Sequence, residues 1–171
     1  DNWRDLFKTD NNLSKEIIWA IPFDGLSTQT WGGMTYLVHA ALGGKMVDNK
    51  DDVSGEDIAA KDEAFKRYGV NSGWGGLRTT KSLVERFPDP SGAIDERANF
   101  YTNGQNREIL SVGTFADGFA VQKFTNLSSE GTPGADLDLP DTDFPMFRLA
   151  DAYLMYAEAV LRGCSEGAKA T

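Results

Sequence analysis

Towards the end of the chain the apolar positions Leu149, Ala150, Ala152, Tyr153, Leu154, Tyr156, Ala157, Ala159, Val160 and Leu161 are interrupted by Arg148, Asp151, Glu158 and Arg162. At a helical advance of about 100° per residue these four polar side chains fall within an arc of about 80°. A helix wet on so narrow a side requires cover on more than one flank. Pro145 suits a first helical turn, Asp143 is a candidate cap and Gly163 can take the left-handed turn that stops a helix, so the pattern predicts a helix over 143–163. Small residues at 152, 157 and 159 admit close neighbours, which suits stacked helix pairs of tetratricopeptide type. The competing reading is a buried helix of an ordinary globular protein.

Elsewhere the apolar runs are shorter. Trp3, Leu6 and Phe7 share one side of a helix already under way at the start, which Thr9 to Asn12 break. Glu16 to Phe23 reads as a strand ending near Pro22, and Leu37 to Leu42 as a short helix or strand. Residues 47 to 62 are rich in Asp, Lys and Ser and read as a solvated surface excursion, with a charged helix expected over 56–68. Thr79 or Thr80 is a candidate cap for a helix carrying Leu83, Val84 and Phe87 and stopped by Pro88; Asp95 to Phe100 suggests one further helical turn. Arg107 to Leu110 and Gly118 to Phe124 read as strands able to pair, separated from what precedes by a turn at Asn103 to Asn106. Residues 163–171 read as a turn opening another helix.

Two stretches fit neither period: Thr28-Gln-Thr-Trp-Gly-Gly-Met-Thr-Tyr36 and Asn71-Ser-Gly-Trp-Gly-Gly76. Both set a tryptophan beside paired glycines, which allow sharp bends and close backbone approach. Two tripeptides are too little for a repeat. Trp31 can serve a ligand or cap a core beneath a loop.

Composition narrows the partners. The 171 residues, 40% of them hydrophobic and 11% aromatic, suffice for a core, and a net charge of −9 argues against nucleic acid as a partner. One cysteine, Cys164, precludes an intramolecular disulfide, and one histidine, His39, set in an apolar run, favours packing over catalysis. No G-x-S-x-G elbow, P-loop or dinucleotide fingerprint occurs, and among 26 acidic residues no pair stands out as the facing carboxylates of a glycosidase. The chain is therefore expected to carry out no catalysis. Asp136, Asp138, Asp141 and Asp143 offer oxygens that calcium could use, although such runs are more often solvated loops.

Five segments together resemble the SusD/RagB glycan-binding lipoproteins of the Bacteroidota. They are Glu16 to Asp24 (EIIWAIPFD), Thr30 to Tyr36 (TWGGMTY), Gly73 to Arg78 (GWGGLR), Asp95 to Phe100 with Val121 to Phe124, and Thr142 to Ala159, the last being the most specific. The resemblance implies one partial SusD-like domain over 1–171: a loop-rich ligand-binding part over 1–142, and a scaffold helix with the start of the next over 143–171. The fold it implies is mainly α with loop-rich regions and a few short strands, built on a tetratricopeptide-type helix-pair superhelix.

The function it implies is cell-surface binding of oligo- or polysaccharide and delivery to a SusC-like TonB-dependent transporter. The protein would sit on the outer face of the outer membrane, on a lipid anchor outside this chain. A tetratricopeptide-type protein-interaction scaffold is the alternative. Family members bind sugars through aromatic faces on loops, helped by polar side chains. On that pattern the expected ligand-binding residues are Trp31 and Trp74, with Tyr36, Arg78 and Gln29 as hydrogen-bonding partners.

Overall fold

The computed structural model describes residues 2–43 and 68–164. Among them are three α-helices, α1 (Met34–Ala40), α2 (Lys81–Val84) and α3 (Leu149–Leu161), and two short 3-10 helices, Trp3–Phe7 and Asn11–Leu13. Two antiparallel sheets accompany them. One pairs β1 (Ile17–Ile21) with β5 (Phe144–Arg148); the other has the order β2 (Arg78–Thr79), β4 (Phe119–Val121), β3 (Phe100–Tyr101). The expectation of a mainly α, helix-pair superhelix is corrected: among the described residues three helices and two antiparallel sheets form, no two helices stack as a pair, and α3 buries none of its residues.

Part of the expected last helix is extended instead, at residues 144–148. They were expected as the first turn of the last helix but pair with β1 instead, Ile17 opposite Arg148 and Ile21 opposite Phe144, with irregular register on both sides of Trp19. Phe144, Met146 and Phe147 suit an extended chain, and Pro145, without an N–H, is tolerated where a two-stranded sheet leaves every strand an open edge. Asp143 caps nothing; its Oδ1 accepts from Phe23 N at 2.9 Å. The helix starts after Arg148, and Leu149 N donates to Glu16 O at 2.8 Å. Its end is where expected: Gly163 has φ +92°, and Gly163 N and Cys164 N donate to the carbonyls of Val160 and Ala159.

Other local expectations were cut short or overruled by tertiary bonds. Asp95 to Phe100 makes only one hydrogen-bonded turn, Ala98 N donating to Asp95 O at 2.9 Å, before Phe100 joins β3. Residues 107–110 are no strand. The Asp117 carboxylate collects Leu110 N, Ser111 N and Asn106 Nδ2, closing 106–117 into a loop, while β4 pairs with β2 and β3. The helix expected after Thr80 is a single turn. The excursion at 47–62, most of the helix expected over 56–68 and the helix opening after residue 164 lie outside the described residues.

The main core sits under α1. Met34, Val38 and Leu42 recur at helical spacing and bury against Val70, Tyr101 and Ala120, flanked by Phe23, Phe115, Phe124 and Phe144. Each fully buried side chain of this size stabilises by about 1.5–3 kcal/mol. A second cluster joins Val84 of α2 to Ala98, Phe100 and Phe119. Two buried asparagines tie the long polar segment 125–143 to this frame. Asn126 Nδ2 donates to Gly69 O and Asp136 O, and its Oδ1 accepts from Asp141 N; Asn11 Nδ2 donates to Leu6 O and Asp143 O.

Candidate functional site

The first of the two Trp-Gly-Gly stretches leads into α1. Gly33, with φ +57° and ψ −127°, occupies backbone space closed to other residues, and a Cβ there would lie 2.6 Å from Phe23 Cζ. That kink leaves Trp31 outside the core, 67% exposed, at the entrance to the helix. One turn on, Tyr36 lies on the face of α1 opposite Met34 and Val38 and is 45% exposed.

The second stretch closes the other end of the same helix. A helix leaves its last carbonyls without partners; here Trp74 N donates to His39 O, Gly75 N to Leu42 O, and Gly76 N and Leu77 N to Ala40 O, at 2.6–2.9 Å. The approach needs glycine. A Cβ on Gly43 would lie 2.7 Å from the Cα of Gly75, and Gly75 itself has φ +64°. Forty-three positions apart in the chain, Trp31 and Trp74 thus meet over α1.

The rings form one exposed cluster. Trp31 and Trp74 have centroids 6.2 Å apart and planes tilted by 49°; Tyr36 and Trp74 are 6.5 Å apart and tilted by 51°. Trp74, 41% exposed, stacks at 4.8 Å and 16° on His39, which is fully buried. The His39 nitrogens in turn lie within hydrogen-bond distance of two carbonyl oxygens, Nδ1 at 2.8 Å from Ser72 and Nε2 at 2.9 Å from Asp138. Three amphipathic rings meeting at the surface offer flat apolar area at low entropic cost, with a phenol able to hydrogen-bond. Such an array suits a polyhydroxylated ligand with apolar ring faces.

The other two expected residues stand differently. Gln29 is exposed in the loop two residues before Trp31. Arg78, on β2, directs its guanidinium at a neighbouring loop: Nη1 donates to Thr114 O at 2.6 Å and Nη2 to Val112 O at 2.8 Å, with the group 5.9 Å from the Phe115 ring centroid. Phe115 in turn borders Gly75, so Arg78 reaches the cluster through the loop it braces.

The aspartates of 136–143 work as hydrogen-bond acceptors, three of them for backbone N–H groups. Asp141 accepts from Gly25 N and Ala135 N, Asp136 from Asp138 N and Leu139 N, and Asp138 from Asn71 Nδ2. Among the described residues, no three His, Cys, Asp or Glu side chains converge to hold a metal. Burial raises the Asp143 carboxyl above its ordinary range, opposed by the hydrogen bond from Phe23 N. The contribution of His39 and of the two carbonyls that hold it was not legible beforehand. The only sign was its place in an apolar run four residues before Gly43-Gly44.

The SusD family's sequence model matches residues 98–168. Over 199 residues the chain is 32% identical to the starch-binding protein SusD of Bacteroides thetaiotaomicron, a match taking in 94% of this chain and 34% of that protein. The chain thus spans about a third of the length of the curated relative it matches.

Proposed function

This chain belongs to the SusD/RagB family, and on that footing we propose that it forms part of a cell-surface protein that binds a glycan through Trp31, Tyr36 and Trp74. The observation that carries the reading is the meeting of these three exposed rings over one helix. Pyranose rings present C–H faces that pack on aromatic planes, and their hydroxyls need partners at the rim, for which Tyr36 Oη and Gln29, exposed two residues before Trp31, are the candidates. Starch-type oligosaccharides are the first candidates, since the relative is a starch-binding protein.

Recognition of this kind breaks no bond, so the protein captures its ligand and releases it unchanged. In the same reading, the whole protein is displayed on the outer membrane by a lipid anchor and passes the bound oligosaccharide to a SusC-like TonB-dependent transporter. Arg78 contributes by holding the 112–115 loop beside the aromatic cluster.

Isothermal titration with maltoheptaose, alongside a panel of plant, host and microbial oligosaccharides, tests the proposal. Binding weakened about 5- to 30-fold by Trp31→Ala or Trp74→Ala, the loss of about 1–2 kcal/mol from one aromatic contact, supports it when the melting temperature is retained. Binding to no member of the panel overturns the function. Binding indifferent to both substitutions overturns the site.

A further inference from the structure

Trp74 stands on a segment that should move. Glycines flank it at 73, 75 and 76, and a glycine-rich loop samples many conformations unless something fixes it. Backbone bonds from Gly75, Gly76 and Leu77 to the carbonyls of Leu42 and Ala40 hold the loop's chain, and one residue of α1, His39, meets the indole itself. The His39 carbonyl accepts from Trp74 N at 2.9 Å, and the His39 ring lies flat under the indole, 4.8 Å away and 16° from parallel.

The imidazole is anchored on both edges: with the proton on Nε2 it donates to the carbonyl of Asp138, from the long polar segment, at 2.9 Å, and Nδ1 can accept from Oγ of Ser72, two residues before Trp74, at 3.3 Å. That segment is itself joined to the loop, Asn71 Nδ2 donating to the Asp138 carboxylate at 2.6 Å and Asn71 N to Leu137 O at 3.3 Å. One face of the indole is sealed by a fully buried ring, and the other remains the face that can meet a ligand.

We propose that His39 is a positioning residue for ligand binding: it touches no ligand, and it holds the Trp74 indole in its binding orientation before a glycan arrives. The inference rests on the glycan-binding reading above. Its consequence is that ordering Trp74 costs nothing at the moment of binding, which raises affinity without adding a contact.

The test is a double-mutant cycle read by titration with maltoheptaose. His39→Ala should lower affinity about tenfold, a coupling of the size seen between contacting residues. His39→Phe, which keeps a flat ring under the indole but loses the hydrogen bonds that hold it, should recover only part of that loss. In a Trp74→Ala background His39→Ala should have no further effect. An equal loss in that background, or no loss at all, would show a merely structural histidine. If Trp74→Ala leaves binding intact, Trp74 makes no ligand contact and a role for His39 in ligand binding is overturned; if Trp31→Ala also leaves it intact, the glycan site has failed as well. In the unsubstituted protein labelled with 5-fluorotryptophan, the resonance that disappears in Trp74→Phe should be single and narrow without ligand. A broad or split resonance overturns the proposal even if no His39 variant folds.

Discussion

Trp74 lies face to face on His39, the imidazole wholly buried and the indole partly in solvent. The pair joins the core to the surface, because the helix that buries Met34 and Val38 on one face buries, on an adjacent side, the histidine that supports the exposed ring. Removing water from one side of Trp74 while leaving its other side accessible is what distinguishes a presented aromatic from a stray one.

Gly33 should tolerate no side chain. Its backbone is left-handed and its missing Cβ would collide with Phe23, so Gly33→Ala is expected to cost about 1–3 kcal/mol of stability. Displacing the entry to α1 should also move Trp31 relative to Trp74. Urea unfolding and oligosaccharide titration on the same variant should therefore both deteriorate, whereas Gly32→Ala, which meets only Thr30 Oγ1 at 3.7 Å, should be mild.

Asn126 should be among the costliest polar residues to remove. Its fully buried amide satisfies the carbonyls of Gly69 and Asp136 and the N–H of Asp141. Asn126→Ala leaves them without partners inside the protein, and at about 1–3 kcal/mol for each buried unsatisfied group the expected loss is at least about 2 kcal/mol. A denaturation midpoint equal to that of the unsubstituted chain would refute the assignment.

Acid should loosen the 106–117 loop through Asp117. The Asn106 side chain, then Ser111 N–H, hold this carboxyl below its ordinary range, helped by Leu110 N–H and Arg78. With the folded value lower than the unfolded value of about 3.9, the stabilisation is fully present above the latter and is lost as pH falls through the depressed folded value. Asp143 has the opposite sign: its raised folded value makes its contribution full below the unfolded value and lost as pH climbs through the folded one. Melting temperature against pH should show Asp117→Asn less stable than the parent near neutrality, the gap closing below about pH 4.

The surface of α3 should make the 171-residue chain prone to self-association. Tyr153, Leu154, Met155 and Leu161 are each more than 60% exposed, and on the neighbouring sheet Trp19 and Phe147 stack in the open at 5.9 Å. An apolar patch of this extent favours aggregation. Leu154→Lys with Leu161→Glu is expected to raise the concentration at which light scattering appears, with helical circular dichroism unchanged. A monodisperse parent at high concentration would contradict the expectation.

What the sequence by itself determined is what neighbours along the chain determine. The helix from 149 to its stop at Gly163, the extended run at 17–21 and the turn at 103–106 follow from periodicity, β-branching and glycine, which act within a few residues. The candidate rings Trp31, Tyr36 and Trp74 were also legible, as aromatics set among glycines in stretches that neither period explains. The rest required distant partners. Residues 144–148 became a strand because Ile17 to Ile21 offered an edge. A run of aspartates became a set of hydrogen-bond acceptors, locally for Ala135, Asp138 and Leu139 N–H and, from far along the chain, for Phe23 N, Gly25 N and Asn71 Nδ2. Only the tertiary structure brought Trp74 to Trp31 and placed His39 beneath it, since the carbonyls at the end of α1 needed donors and the glycine loop, 43 positions after Trp31, could come close enough to supply them.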